Sequence, residues 1–578
     1  MSKTKKDQKR VIKLDGFNGI NRLKSHDSKV YAHDSVNFRI KTDGSLEKRC
    51  GFRPLTDLGG TIRAFFCGSV LGVDLAYYLV GSSVYTVELK SGDIKELGTI
   101  GTSEGEACIF FYRGTLYLLD GKDMYFYTGK EFKLCYGYVP LYGKDWPGIY
   151  EGKVNEPRNI INRKIRITYK IVEIDTFFLA VGYDIESVDA IYVNGSPISD
   201  KSYTLDNPFK SIFVDDILTI GTIVEVHLTL KNPMQEELSA FCKNVNSILF
   251  GASSNDRMFF WGGEDPSKIY CSSFVSKQSL KESQKEYPES DFIYIPEGFD
   301  FNVGDGKNKV QGATLHHDRL LIFTDGNVWR ANISASGIDD FPVSGVNSDI
   351  GCSVYDGVTL GGNDPISIGK NTLWKWTDDT DTLSKSNAYS ISLPIDPTIS
   401  PDEFEHLGLF YSVRENELWL YNRESGNVRI YDLTNDRWFR FEGIFADRIF
   451  DAGGQIGFLR GSQIYIFDSN LYKDIDKDGG EHIINASYTA SLLDFGTDSP
   501  KTLSHIVFRG NTQGSEVSVT VSSDGMADAS CSISEESEEE FSLIKRRLPF
   551  GRFDQASVTL SASGDTCQTV CGLELHTR

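Results

Sequence analysis

Three carboxylates, Asp474, Asp476 and Asp478, have the clearest ligand spacing in this 578-residue chain, in the run Asp474-Ile475-Asp476-Lys477-Asp478-Gly479. Oxygens at alternate positions, followed by a glycine that permits a sharp turn, are how a calcium loop opens. Such a loop closes on a bidentate Glu at its twelfth position, which here is Asn485. The run is therefore only a weak calcium candidate, and an Asp-rich connection between two structural units is the expectation. His316 and His317, followed by Asp318 and Arg319, could do acid–base or metal chemistry if gathered in a pocket. Adjacent strand residues point to opposite faces, which places one imidazole in the core and the other in solvent. Asp364, Asp396 and Asp402 were weighed as glycosidase carboxylates, because a pair flanking a cleft is what that reaction needs. All three sit in ordinary turn contexts. Neither a His-Glu-x-x-His zinc motif nor a phosphate-binding Gly-x-x-x-x-Gly-Lys-Ser/Thr loop occurs, and no Gly-x-Ser-x-Gly nucleophile elbow is expected. No catalysis, no cofactor and no confident metal site are expected.

The elements that carry these residues read as strands. Apolar residues make up 40% of the chain and aromatics 12%, and rings pack well across pleated surfaces. The 54 glycines supply frequent tight turns. A formal charge of −21 argues against a protein that grips nucleic acid by neutralising phosphates. The ten cysteines form no Cys-x-x-Cys pair and read as mostly buried thiols; Cys567 and Cys571, four apart, read as packing. No apolar run approaches the roughly 18 residues needed to span a bilayer, and no signal peptide is recognisable, so synthesis in a cytoplasm is expected.

From about residue 61 the sequence falls into short strand-like runs with a spacing of roughly 40 residues, the period of a four-stranded propeller blade. Tyr77-Tyr78-Leu79-Val80 leads through a glycine turn to Val84-Tyr85-Thr86-Val87, and Leu116-Tyr117-Leu118-Leu119 leads likewise to Met124-Tyr125-Phe126-Tyr127. Both pairs read as hairpins. About seven such units are expected, with six or eight the bounds. In the sixth, Tyr431-Asp432 followed by Trp438 resembles a kelch-type unit, with the indole filling the core.

The expected class is all-β, a β-propeller with an inserted β-sandwich and a C-terminal β-sandwich. The expected divisions are an extended N-terminal arm over 1–60, first blades over 61–154, an inserted β-sandwich over 155–232, remaining blades over 233–482 and a C-terminal β-sandwich over 483–578. In the last, an acidic run from Ser534 to Glu540 precedes Lys545-Arg546-Arg547 and reads as a solvated loop beside a strand.

Four segments, taken together, resemble the tail nozzle or hub proteins (tail tubular protein B-like) of short-tailed bacteriophages. They are Gly16 to Leu23 with Asn37 and the run Asp43 to Phe52; residues 255 to 273; residues 316 to 333; and residues 348 to 358 with 370 to 376. The first supplies two turns, an Arg-x-Gly step and two cationic anchors, Lys48 and Arg49.

The resemblance implies a structural virion protein. It would form a homo-oligomeric ring, with six copies expected, at the distal end of a short phage tail. There it would line and close the DNA exit channel, contact tail adaptor or ring proteins and carry tail fibres or other appendages. DNA would pass transiently without specific binding, and an acidic wall suits such passage. The alternative is a carbohydrate-binding or glycan-cleaving propeller acting at a cell surface, which would need export.

Overall fold

The computed structural model describes the chain except residues 1–9, 24–30, 71–72, 145–155, 174–175, 201, 232–234, 251–255, 333–342, 378–382, 384–386, 495–499, 536–540 and 578. Strands dominate, and the α-helices among the described residues are Gln235–Cys242 and Lys277–Glu286. Ser276 caps the start of the second of these, its side chain accepting from the Ser279 amide.

Most strands fall into four-stranded antiparallel sets in which consecutive strands pair, each resembling a propeller blade. The first set spans Ile62–Val70 to Ile94–Thr99, and the second Cys108–Tyr112 to Phe132–Leu134. The third runs from Asn246–Phe250 to Asp300–Asn302, the fourth from Val310–His316 to Val343–Asn347, and the fifth from Val358–Gly361 to Ala388–Ser390. The sixth covers Leu407–Ser412 to Arg437–Phe441. The seventh takes three strands from Arg448–Asp451, Ile456–Arg460 and Gln463–Asp468 and its fourth from far away in sequence, Gly51–Asp57. The hairpins read from sequence have the registers Leu79↔Val84 and Leu119↔Met124.

Each first strand lies beside the first strand of the next set, and the seventh lies beside the first, so the series closes on itself. Second strands are buried almost throughout. Arg257–Trp261 and Glu417–Asn422 are buried at every position, which is what a strand covered on both faces requires. Trp376, Trp419 and Trp438 are the largest fully enclosed side chains, and Trp438 stacks on Tyr431 with ring centres 4.9 Å apart.

Between the second and third sets, strands from Leu141–Lys144 to Ile223–Leu230 build a five-stranded and a three-stranded sheet. Their facing side chains, including Ile165, Val226, Leu179 and Ile212, form a core of their own. After the seventh set, Ala486–Ala490 and Lys501–Asn511 begin a second two-layer unit.

Residues 1–60 differ from the expectation of an extended arm. Arg10–Asp15 pairs with residues 572 to 577 of the C-terminal strand Thr569–Thr577, and Leu46–Lys48 pairs with its beginning. Ala32–Val36 pairs with Ala486–Ala490, and Gly51–Asp57 completes the seventh blade-like set. The physical reason is hydrogen bonding: an extended segment with alternating burial satisfies its backbone best as an added strand. Its hydrophobic residues Leu14, Phe17, Phe38 and Leu46 sit in the same core cluster as the fourth to seventh sets and the C-terminal strands.

Candidate functional site: the junction that locks the chain ends

The densest arrangement of charged and polar side chains lies where the N-terminal segment, the sixth and seventh sets and the C-terminal unit meet. At its centre is Arg49, 3% exposed. Its Nη1 and Nη2 donate to the two carboxylate oxygens of Asp474 at 2.8 and 2.6 Å. Nε donates to Asn37 Oδ1 at 2.9 Å, while the remaining capacity goes to the carbonyls of Cys50 and Glu442. One guanidinium thereby joins four chain segments. A planar fork with five donors fits this task, and an ammonium does not.

Asn37 takes the left-handed conformation, φ 56°, which Asn tolerates better than other side chains. There its Oδ1 also accepts from the Glu442 amide, and its Nδ2 donates to the Asn485 carbonyl at 2.8 Å. Two glycines are required by space. A Cβ on Gly51 would sit 1.9 Å from the Lys473 carbonyl oxygen, and one on Gly19 would sit 2.6 Å from the Trp438 backbone. Lys48, 1% exposed, donates through Nζ to the Gly564 carbonyl, and burial lowers its pKa to about 8. Arg437 donates to the carbonyls of Ile40 and Lys41, and Arg440 holds Asp34 bidentately at 2.8 and 2.7 Å.

The sequence candidates fare differently here. Arg49 and Asp474, 425 positions apart, are brought together. Asp474 is spent on that ion pair and lies on the strand Lys473–Ile475. Asp476 instead organises its own turn, accepting from the amides of Asp478 and Gly480 and facing His482 at 3.2 Å, while Asp478 is exposed. The three carboxylates do not converge. Among the described residues, no group of three or more His, Cys, Asp or Glu side chains is placed to hold a metal ion.

His316 is buried at the end of its strand, and His317 is exposed in the hairpin turn at φ 55°, with ring centres 4.3 Å apart. Asp364 pairs with Lys375 at 2.8 Å, Asp396 accepts from Thr372 at 2.9 Å, and Asp402 is exposed in a short 3-10 turn. These three belong to separate local networks. From Glu536 to Glu540 the acidic run lies outside the described residues, and Lys545, Arg546 and Arg547 are exposed on the strand Ser542–Phe553.

Contrary to the expectation that no Gly-x-Ser-x-Gly run occurs, Gly101-Thr102-Ser103-Glu104-Gly105 has the spacing of a nucleophile elbow. It joins two antiparallel sets rather than a strand to a helix, and the carbonyls of Thr102 and Glu104 accept from Arg63. That is a braced loop without the geometry of an elbow.

Near the axis, a cavity of about 440 Å³ is lined by first-strand residues of the first, second, third and seventh sets, including Phe65, Cys108, Asn246 and Arg448. Tyr355 reaches into it and donates to Asn246 Oδ1 at 2.7 Å, and Arg448 donates to the Phe65 carbonyl. The Cys108 thiol is pushed up to about 11 by burial, so the nucleophilic thiolate is scarce at neutral pH. Cys67, Cys271 and Cys352 are likewise raised to about 12 by burial. The joint of the inserted unit also escaped the sequence reading. His227, 3% exposed, stands between Glu225 at 2.8 Å and Glu286 at 3.3 Å, tying that unit to the second helix.

No family model matches the chain, and no curated protein matches it. Among solved structures it is similar to the AfRom2 CNH domain, at 6% identity and TM-score 0.36, covering 72% of this chain and 99% of that one. It is also similar to the S. cerevisiae core factor, at 7% identity and TM-score 0.26, covering 55% and 57%. A third similarity is to TmCBM61 in complex with β-1,4-galactotriose, at 11% identity and TM-score 0.13, covering 21% and 67%.

Proposed function

We propose that the chain is a seven-bladed β-propeller with an inserted and a C-terminal β-sandwich, and that it serves as a non-enzymatic ring component of a short phage tail. The observation that carries this reading is the junction at Arg49. The segment Asp43 to Phe52, part of one of the four on which the resemblance to nozzle and hub proteins rests, is the one whose Arg49 and Gly51 lock the chain ends together. A strand added from the N-terminal side closes the seventh blade, so the propeller cannot unzip between its first and last blades without breaking the junction.

Such a body suits a part that transmits force rather than turns over substrate. Tyr355 and Arg448 line the cavity between the first strands and are tied there to Asn246 and Phe65, so a channel for DNA belongs between copies, with each propeller a wall segment. Head-to-tail contacts close into a ring only when the rotation between neighbours divides a full turn. The two sandwiches stand outside the ring of blades and offer the side-to-side surfaces. The acidic balance, 81 acidic against 60 basic residues, suits a wall past which DNA slides.

The test is native mass spectrometry of the purified protein, alone and with the tail proteins encoded beside it. A discrete ring is expected, at least in their company. A monomer under both conditions, together with absence of the protein from purified virions, would overturn the reading.

A further inference from the structure

A second cavity, of about 340 Å³, lies between the N-terminal segment, the sixth blade-like set and the linker that precedes that set. Three guanidinium groups line it, Arg22, Arg429 and Arg440. Arg429 and Arg440 sit directly opposite each other on adjacent strands. Like charges in that position are destabilising unless something compensates them. Arg440 is compensated: both Asp34 oxygens accept from it, and Glu442 accepts from its Nη1.

Arg429 is served less well. Its side chain is 6% exposed, it donates to the Thr398 carbonyl at 2.7 Å, and its contacts with Glu403 are long, 3.4 Å each. Arg22 approaches no carboxylate within ion-pairing distance among the described residues; its Nη1 lies against the His33 ring, and its Nε is buried without a hydrogen-bond partner among them. The burial of His33 and the charge of Arg22 both lower its pKa, so at neutral pH this ring adds no further positive charge. Of the charged side chains lining the cavity, three are cationic and two, Asp34 and Glu403, are anionic. The lining alone carries one more positive than negative charge, which Glu442 offsets from its contact with Arg440; the least compensated groups are Arg429, with its long contacts to Glu403, and Arg22, whose buried Nε–H has no partner among the described residues.

We propose that this cavity binds a small oxyanion, held by Arg22 and Arg429 with Thr398 and Asn427 as polar neighbours. The chemistry required is a compact group with two or three acceptor oxygens and at least one negative charge. A phosphate and a carboxylate share it, and both match a guanidinium fork. The cavity is large enough for either, and its walls Ile20, Ile395 and Phe439 are apolar, which strengthens the electrostatic attraction. The inference does not depend on the ring reading, since it uses only the side chains around the cavity.

The experiment is isothermal titration of the full-length protein with inorganic phosphate and, separately, with acetate, at ionic strength matched with chloride. Saturable binding of one anion per chain is expected. Arg22→Gln should weaken it at least about tenfold, the worth of one charge-assisted hydrogen bond, and Arg22→Lys should fall between. Comparing thermal midpoints in anion-free buffer separates lost binding from lost folding. Preference for phosphate would identify a phosphate group as the natural occupant, and preference for acetate a carboxylate; both support the site. Absence of saturable binding of either anion, or equal binding by wild type and a folded Arg22→Gln variant, would overturn it.

Discussion

The two units outside the blades are built alike and joined to the rest in opposite ways. The inserted unit keeps its core to itself, and its strands Lys164–Lys170 and Ile223–Leu230 meet the rest of the chain side by side: the Leu230 amide donates to the Arg163 carbonyl at 2.9 Å, and Arg163 Nε donates back to the Leu230 carbonyl. The C-terminal unit has no such independence. Its strands share one cluster with four blade-like sets, and its sheets contain strands from Arg10–Asp15, Ala32–Val36, Phe38–Ile40 and Leu46–Lys48. A unit entered and left at one point can be gained or lost; a unit woven from both ends of the chain is part of the frame.

Deleting residues 1–57 should break that frame with the largest effect. It removes the outer strand of the seventh set and four strands of the C-terminal sheets, exposing sheet edges and core. Limited proteolysis should find residues 486–577 degraded, whereas replacing residues 164–229 with a short Gly-Ser linker should leave the main calorimetric transition in place. The reverse pattern would invert the comparison.

Next in size, Arg49→Ala should cost about 3–5 kcal/mol in denaturant unfolding, because it leaves Asp474 without its partner and removes the donors to Asn37 and to the carbonyls of Cys50 and Glu442. Arg49→Lys should recover little, since one ammonium cannot reproduce the bidentate fork.

A smaller, pH-dependent effect belongs to Lys48. Its folded pKa of about 8 lies below the unfolded value of about 10.4, so the unfolded chain holds more protons between those limits. This group's contribution to stability should therefore rise with pH from about 8 to about 10.4. Urea titrations of wild type and Lys48→Met across that window should differ in slope, and identical slopes would show that the buried ammonium is not desolvated. The smallest effect is expected at the loop beside the junction. Asp478→Ala should change stability by less than about 0.5 kcal/mol, and chelation should shift the melting temperature little. A large loss in chelator, restored by calcium, would contradict the ion-pair role given to Asp474.

Much of the repeating frame was legible because it depends on local pattern. The hairpins at Leu79↔Val84 and Leu119↔Met124 follow from alternating aromatic strands and a glycine turn, which any neighbour along the chain can satisfy. The junction was legible only in its parts. Lys48 and Arg49 stood out as charges beside a turn, and Asp474 as an acid in an Asp-rich run, but their pairing spans 425 positions and leaves no periodic trace. The strand Gly51–Asp57 was missed for the same reason, since its partner Gln463–Asp468 lies at the other end of the chain. His227 could not be read either: a lone histidine on a strand gives no sign that Glu286 will pack against it from a helix.

The central claim is that this closed, end-locked body is a wall segment of a tail ring, and cryo-electron microscopy of purified virions tests it most directly. The account predicts a closed ring of copies at the distal end of the tail, with propellers side by side, the DNA path between copies, and the Arg49–Asp474 junction intact in each. Tails with this density missing, or the protein found only outside the particle, would contradict it.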